Sequence, residues 1–299
     1  MERAAWVALS AVSGLGPARF RRLLEEYGTA SAALAADAAE VCDRLDLAED
    51  GAQQIAALPG RLEEISADLA SLDEQGVRAL IWEDDQYPAR LLRTTSPPPV
   101  LWHAGEADLN GRAVAVVGSR EVSDEALEVA AEIAARLAGA EILVVSGLAD
   151  GVDAAAHQGA MRAGGPTVGI CGCGIITALT QGRDGLGGQV AEAGGLCSEL
   201  APAAPLLPQA LFARDRIIAG MAEAVIVIQA RARGGAVHTG RCAIKEARPV
   251  FAVAWAQEER GPGNRELVLE GAELLELGED ALARLSPSLG WDTAEPAEG

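Results

Sequence analysis

Six short apolar runs follow one another after residue 112: Val114–Val117, Ile142–Val145, Thr167–Cys171, Leu196–Ser198, Ala224–Ile228 and Val250–Ala254. Segments of helical period lie between most of them, among them Asp124–Leu137, Asp153–Ala163 and Phe212–Glu223. Runs this short and this continuously apolar suit strands buried on both faces. Their alternation with helices predicts an α/β domain, a mostly parallel sheet with helices on both faces. In such a sheet a ligand meets the carboxyl ends of the strands. The residues that follow the runs are small, polar or basic. The first run ends in Gly118-Ser119-Arg120 and the second in Ser146-Gly147, continuing to Asp150-Gly151. The third ends in Gly172-Cys173-Gly174, and the fifth is followed by Arg231, Arg233, Gly234 and Gly235, with His238-Thr239 opening a helix. Backbone approaches a ligand closely only where side chains are absent, and helix N-termini favour anions. Four such loops on one sheet edge point to a phosphate-binding crevice.

The familiar nucleotide motifs are missing. No Gly-x-x-x-x-Gly-Lys-Ser/Thr loop occurs, which argues against a P-loop ATPase, and no Gly-x-Gly-x-x-Gly follows the first run, which argues against a standard NAD site. No cofactor is expected. The chain has no run of 18 apolar residues, so no membrane span is expected, and Met1-Glu2-Arg3 does not open a signal peptide. Five cysteines make no disulfide framework. Cys171-Gly-Cys173 lies in an apolar run and reads as a buried pair, with a metal site as the alternative. A reducing cytoplasm is the expected location.

A formal charge of −20 argues against a general nucleic-acid binder. The charge is uneven, however. Residues 1–111 carry −10, residues 112–277 carry −6 and residues 278–299 carry −4, whereas residues 212–248 carry +4. Positive charge is thus confined to one segment of the predicted α/β domain.

The first 108 residues read as a small all-helical domain. Trp6, Leu9 and Val12, then Phe20, Leu23 and Leu24, recur at helical spacing. Ser13-Gly14-Leu15-Gly16-Pro17 breaks the first helix, and Pro17 is placed to open the second. The Gly-Leu-Gly hairpin is either a helix-hairpin-helix unit offering N–H groups to a phosphate or a plain helix turn. Arg19, Arg21 and Arg22 follow it, offset by Glu25 and Glu26. Residues 86–105, with Ser96-Pro97-Pro98-Pro99, read as a stiff linker. The expected domains are therefore 1–108, 109–278 and an acidic tail, 279–299.

Longer strings carry a resemblance. Val114-Ala-Val-Val-Gly-Ser-Arg120, Val145-Ser-Gly-Leu-Ala-Asp-Gly-Val-Asp153 with His157, Arg214-Asp-Arg-Ile-Ile-Ala-Gly220, Pro249-Val-Phe-Ala-Val-Ala254, and Gly263-Asn264 with Gly271-Ala272 succeed one another. Over residues 112–275 the chain resembles the DNA processing protein A (DprA/Smf) family. The resemblance implies an extended Rossmann-like domain that binds single-stranded DNA, and a role in DNA uptake, transformation and RecA loading. The chain departs from the family pattern at four places. Gln181–Gly188 stands where a Tyr-Pro-x-x-Asn segment is common, and Leu211-Phe212 replaces Phe-Pro. Gly234–Gly240 replaces Ser-Gly-Ser-Leu-x-Thr-Ala, and an acidic tail stands in place of the C-terminal winged helix of many members. Asp215 also stands where asparagine is usual.

Arg120 directly follows a strand end and reads as a phosphate contact, with a surface salt bridge as the alternative. Arg214 and Arg216 are two apart on a helix, so at most one faces the crevice. Asp215 either orients or neutralises Arg214. Phe212 reads as core packing, with base stacking as the alternative. Ser146 and Asp153 read as caps of the loop and helix around them, and His157 as a structural histidine. The candidate ligand-binding residues are Gly118, Ser119, Arg120, Ser146, Gly147, Gly172, Gly174, Phe212, Arg214, Arg216, Gly234, Gly235, His238 and Thr239. No nucleophile, base and orienting group fall at catalytic spacing, so a non-enzymatic role is expected. The expected partners are single-stranded DNA, RecA recombinase and a second copy of the chain as a homodimer. The alternative is a nucleotide-derivative sensor or nucleoside-phosphate hydrolase that takes a phosphorylated nucleotide.

Overall fold

The computed structural model describes residues 1–180, 185–257 and 260–291. The chain forms two units, one of residues 1–87 and 95–104, the other of residues 88–94 and 105 onward.

The first unit opens with helices α1 (Glu2–Ser10), α2 (Pro17–Tyr27), α3 (Ala30–Ala35), α4 (Ala38–Arg44), α5 (Glu49–Ala57) and α6 (Leu62–Glu74). Trp6, Phe20 and Trp82 form its aromatic centre, with Trp6 and Phe20 ring centroids 4.7 Å apart. Glu2 accepts from the Trp6 indole and from the Ala30 and Ser31 N–H groups, which satisfies the start of α3. In the glycine hairpin Arg19 donates to the carbonyls of Gly14 and Asp46, so this cation is occupied in closing the turn.

The front of the chain is not helical throughout, as the periodicity suggested. Strand β1 (Val77–Ile81) pairs antiparallel with β2 (Val100–Gly105), and α7 (Ala89–Leu92) lies between them in sequence. The expected Pro-rich linker is therefore largely structured. Tyr87 Oη and Trp82 Nε1 both donate to the Pro98 carbonyl at 2.8 Å, which fixes the Pro97–Pro99 turn.

Among the described residues the second unit holds seven parallel strands: β3 (Ala113–Val117), β4 (Leu143–Ser146), β5 (Thr167–Ile170), β6 (Gly195–Ser198), β7 (Ala224–Val227), β8 (Val250–Val253) and β9 (Glu273–Leu275). Their spatial order is β6-β5-β4-β3-β7-β8-β9. Six coincide with the six apolar runs. The seventh, β9, is a three-residue edge strand whose Leu274 is exposed, so it lacks the apolar signature of the others.

The helices are α8 (Asp124–Gly139), α9 (Val152–Arg162), α10 (Ile175–Thr180), α11 (Leu186–Ala193), α12 (Pro208–Met221), α13 (Gly235–Lys245), α14 (Pro262–Leu269) and α15 (Ala281–Leu289). Right-handed crossovers leave β3 in one direction and return past it to β7. Helices α8, α9 and α11 consequently pack together on one face of the sheet, and α12, α13 and α14 on the other. Val114, Val116, Val144, Ile226 and Phe251 lie under α8 and α9 with Leu137 and Ala156, all fully buried. The expected acidic tail is helical as far as Leu289: Asp280 caps α15, Leu285 is buried, and Trp291 donates to Glu223 at 2.9 Å.

Candidate functional site

Strand order reverses between β3 and β7, so the two loops leaving these strands diverge and open a crevice beyond their carboxyl ends. A cavity of about 330 Å³ occupies this place. Gly118, Ser119 and Arg120 line it from β3, and Arg231, Gly234 and Gly235 from the loop after β7. Pro208, Leu211, Phe212, Arg214, Asp215 and Ile218 line it from α12, and Thr239 from α13. A second cavity of about 340 Å³ adjoins it over β4 and β5 and includes Gly147 and Gly172. Arg120, Ala149, Leu211 and Arg214 border both.

The loops are held by their own backbones. Ser119 N–H donates to Gln229 O at 2.8 Å, and its hydroxyl accepts from Arg231 N–H at 2.9 Å, which ties the β3 loop to the β7 loop. Gly151 has φ +81°, and a side chain there would strike the Arg120 carbonyl. Leu148 (φ 60°) and Arg233 (φ 59°) adopt the left-handed region despite their side chains, at a cost of about 1–2 kcal/mol each.

Arg214 is the structural centre of the site. Its side chain is buried, and Nη1 donates to the carbonyls of Gly147 and of Ile170, the latter at 2.6 Å. Nε lies 3.3 Å from Asp215 Oδ1. Arg216 points elsewhere, into an ion pair with Glu199, as the two-residue spacing predicted. Asp215 Oδ2 lies 3.2 Å from His238 Nδ1. Burial pushes the Asp215 carboxyl up to about 6, against the pull of Arg214 and His238.

Phe212 is not a core residue. It is 52% exposed at the crevice, its ring nearly perpendicular to that of His238 with centroids 5.7 Å apart. Leu206 and Leu207 nearby are also exposed. Arg120 is exposed, and no side chain among the described residues pairs with it. Arg231 pairs loosely with Glu121 at the surface, 3.2 Å away.

Other predicted residues lie outside the cavities or have their polar groups consumed within the protein. Ser146 is fully buried, its hydroxyl bonded to Val116 O at 2.7 Å, so it joins strands rather than facing the crevice. Gly174 packs against the backbone of Ala201 and Pro202. Thr239 borders the cavity but is buried, its hydroxyl donating to Gly235 O. His157 is buried: Thr167 donates its hydroxyl proton to Val144 O, so the ring Nδ1–H must donate to Thr167, and burial together with Arg214 lowers the imidazole to about 3. Burial also raises the thiols of Cys171 and Cys173. Of Gln181–Gly188, residues 181–184 fall outside the described residues.

Residues outside the candidate ligand contacts also shape the site. Asn264 accepts from Ala230 N–H and donates to the carbonyls of Val227, Ile228 and Val253, bracing the ends of β7 and β8. Leu211 forms the wall common to both cavities. The sequence marked these two only through the family resemblance and not as site residues, since their roles depend on strands distant in the chain.

A doubly wound parallel sheet with its switch-point crevice bordered by glycine backbone, apolar side chains and arginines defines a Rossmann-type protein. The chain belongs to the DNA recombination-mediator protein A family, whose model matches residues 78–286; a DprA-like N-terminal HHH domain matches residues 1–37. It is 35% identical to DNA processing protein DprA of Streptococcus pneumoniae over 202 residues, 67% of this chain and 71% of that protein. It is 32% identical to protein Smf of Escherichia coli over 243 residues, 80% of this chain and 64% of that protein. The solved structure of S. pneumoniae DprA is similar with a TM-score of 0.78 at 29% identity, covering 94% of this chain and 97% of that one. The Helicobacter pylori DNA processing protein A, solved for its single-stranded DNA binding mode, shares the fold with a TM-score of 0.62 at 22% identity, over 72% of this chain and 97% of that one. Among the described residues no helix is long and apolar enough to cross a membrane.

Proposed function

We propose that this chain binds single-stranded DNA without chemically altering it, in the crevice beyond β3 and β7. The observation that carries this reading is the pairing of an exposed aromatic ring, Phe212, with two exposed arginines, Arg120 and Arg231, around one cavity. Stacking on aromatic side chains and cationic contact to the backbone are the two recurrent means of holding an unpaired strand. The family relationship supports the same reading and extends it: a cytoplasmic role in DNA uptake and transformation, delivery of the bound strand to RecA recombinase, and action as a homodimer. Duplex binds less well, because its bases are not free to leave the stack.

Fluorescence anisotropy with a labelled oligothymidylate across a salt series tests this. About three to five phosphate contacts are feasible, giving a log–log salt slope of roughly −2 to −3.5. The cavity volume of about 330 Å³, close to that of one nucleotide, together with the formal charge of −20, favours a second reading as a small-nucleotide sensor or hydrolase. A mononucleotide that raises the melting temperature, where no oligonucleotide binds even at low salt, would establish that second reading and overturn the first.

A further inference from the structure

The floor and the rim of the β3/β7 cavity differ in chemistry. Arg120 and Arg231 are exposed at its border. Deeper in, Asp215 and Asp153 are both buried, 4% and 5% exposed. Asp153 Oδ1 meets no hydrogen-bond donor among the described residues. Asp215 has Arg214 Nε 3.3 Å from one oxygen and His238 Nδ1 3.2 Å from the other. Two carboxylate oxygens offer about four acceptor positions, so each Asp215 oxygen retains capacity. Pro208, Leu211 and Ile218 form apolar walls between rim and floor.

A phosphate driven to this floor would face two carboxyl groups. A nucleobase entering edge-first would instead bring N–H donors to the acceptor capacity these carboxylates retain, leaving its phosphates at the arginines. We propose that Asp215 makes this cavity selective for guanine, an inference that rests on the DNA-binding reading above. Guanine alone presents two adjacent donors, N1–H and the 2-amino group, which match the two oxygens of one carboxylate. Thymine presents a single N–H between two carbonyls, which the carboxylate repels. Adenine and cytosine each set a ring-nitrogen acceptor beside their amino donor. A buried polar group rejects a partner that leaves it unpaired far more strongly than an apolar pocket rejects a change of shape. The asparagine usual in the family at this position would present one donor and one acceptor, so the selectivity belongs to this chain's own residue.

The test is anisotropy on the full chain at pH 7.5, with a fifteen-nucleotide oligothymidylate in which the central base is varied. Guanine at that position binds at least about five-fold tighter than thymine, adenine or cytosine, the low end of the discrimination a bidentate base contact gives. 7-Deazaguanine, which keeps N1–H and the 2-amino group, equals guanine, and hypoxanthine, which lacks the amino group, falls between guanine and thymine. Asp215→Asn brings all bases within about two-fold while the all-thymine oligonucleotide still binds. The base series on the unaltered chain needs no variant and therefore stands even if Asp215→Asn misfolds. Equal affinity for every base, with binding intact, overturns the selectivity and leaves the DNA-binding reading in place. If no oligonucleotide binds but GMP raises the melting temperature more than AMP, Asp215 selects guanine in a free nucleotide and the DNA reading falls. Absence of both responses overturns both.

Discussion

The guanidinium of Arg214 occupies the space that a side chain at position 147 would need. A Cβ on Gly147 would fall within it, and the Gly147 carbonyl is one of the two that Nη1 bonds. This contact joins the carboxyl ends of β4 and β5 to α12 and sets the wall shared by both cavities.

Removing Arg214 is therefore first a structural loss. In Arg214→Ala the carbonyls of Gly147 and Ile170 and the carboxyl of Asp215 all lose a buried cationic partner. The expected cost is about 3 kcal/mol of stability, as for other broken buried ion pairs, with DNA binding lost as a consequence. Gly147→Ala has the same signature, because it expels the guanidinium. Urea unfolding checks this; an Arg214→Ala protein with unchanged stability would contradict it.

Arg120 and Phe212 behave in the opposite way. Both are exposed, and neither supports the core. Arg120→Ala and Phe212→Ala should each weaken oligothymidylate binding by about 1–3 kcal/mol while changing stability by less than about 0.5 kcal/mol. Arg19→Ala should leave binding unchanged, since that guanidinium closes a hairpin in the first unit. Anisotropy and thermal melting, measured on the same preparations, separate the effects. Equal losses of affinity at all three positions would mean diffuse electrostatics rather than a crevice.

Oligothymidylate binding should strengthen as pH falls from 7.5 to 5.5. Burial raises the Asp215 carboxyl from its ordinary 3.8 to about 6, with Asp153 on α9 adding to the rise and Arg214 on α12 and His238 on α13 opposing it. Protonation removes a negative charge from the cavity floor, which favours an anionic strand. The same proton is held by the folded chain and released on unfolding, so this group's contribution to stability is present in full below 3.8 and is lost as pH rises through about 6. Asp215→Asn should flatten both profiles between pH 5.5 and 7.5. A pH response identical in the variant would assign it to another group.

The second unit should need residues 88–94 to be stable. Arg90 donates to Met221 O at 3.0 Å and pairs with Glu223, Arg248 donates to Arg90 O at 2.9 Å, and Leu91 packs on Gly220. Leu285 of α15 is likewise buried. A fragment of residues 88–291 is expected to melt cooperatively. One of residues 109–278, the boundaries that composition suggested, should melt at lower temperature or not cooperatively. Equal melting of the two by calorimetry would show that α7 and α15 are dispensable.

Much of this architecture was legible in local sequence. A buried parallel strand needs only a short apolar run, so six of seven strands, the helices between them and the glycine-rich loops beyond them could be read from residues 114–254 alone. The i, i+2 spacing of Arg214 and Arg216 was enough to separate their directions. What the sequence could not supply was anything set by partners distant in the chain. The β1–β2 pairing joins residues some twenty apart, and β9 is a strand only because β8 offers it an edge. Phe212 looked like core because an aromatic between apolar neighbours commonly is; its exposure follows from the side of α12 that the sheet covers. Whether Ser146 faced a ligand or the Val116 carbonyl 30 positions away was likewise undetermined. Local periodicity fixes which residues form strands and helices, because it depends on backbone geometry within a few residues. Only tertiary packing decides which side chains are consumed within the protein, as those of Arg214 and Ser146 are, and which, like those of Arg120 and Phe212, stay exposed at the crevice.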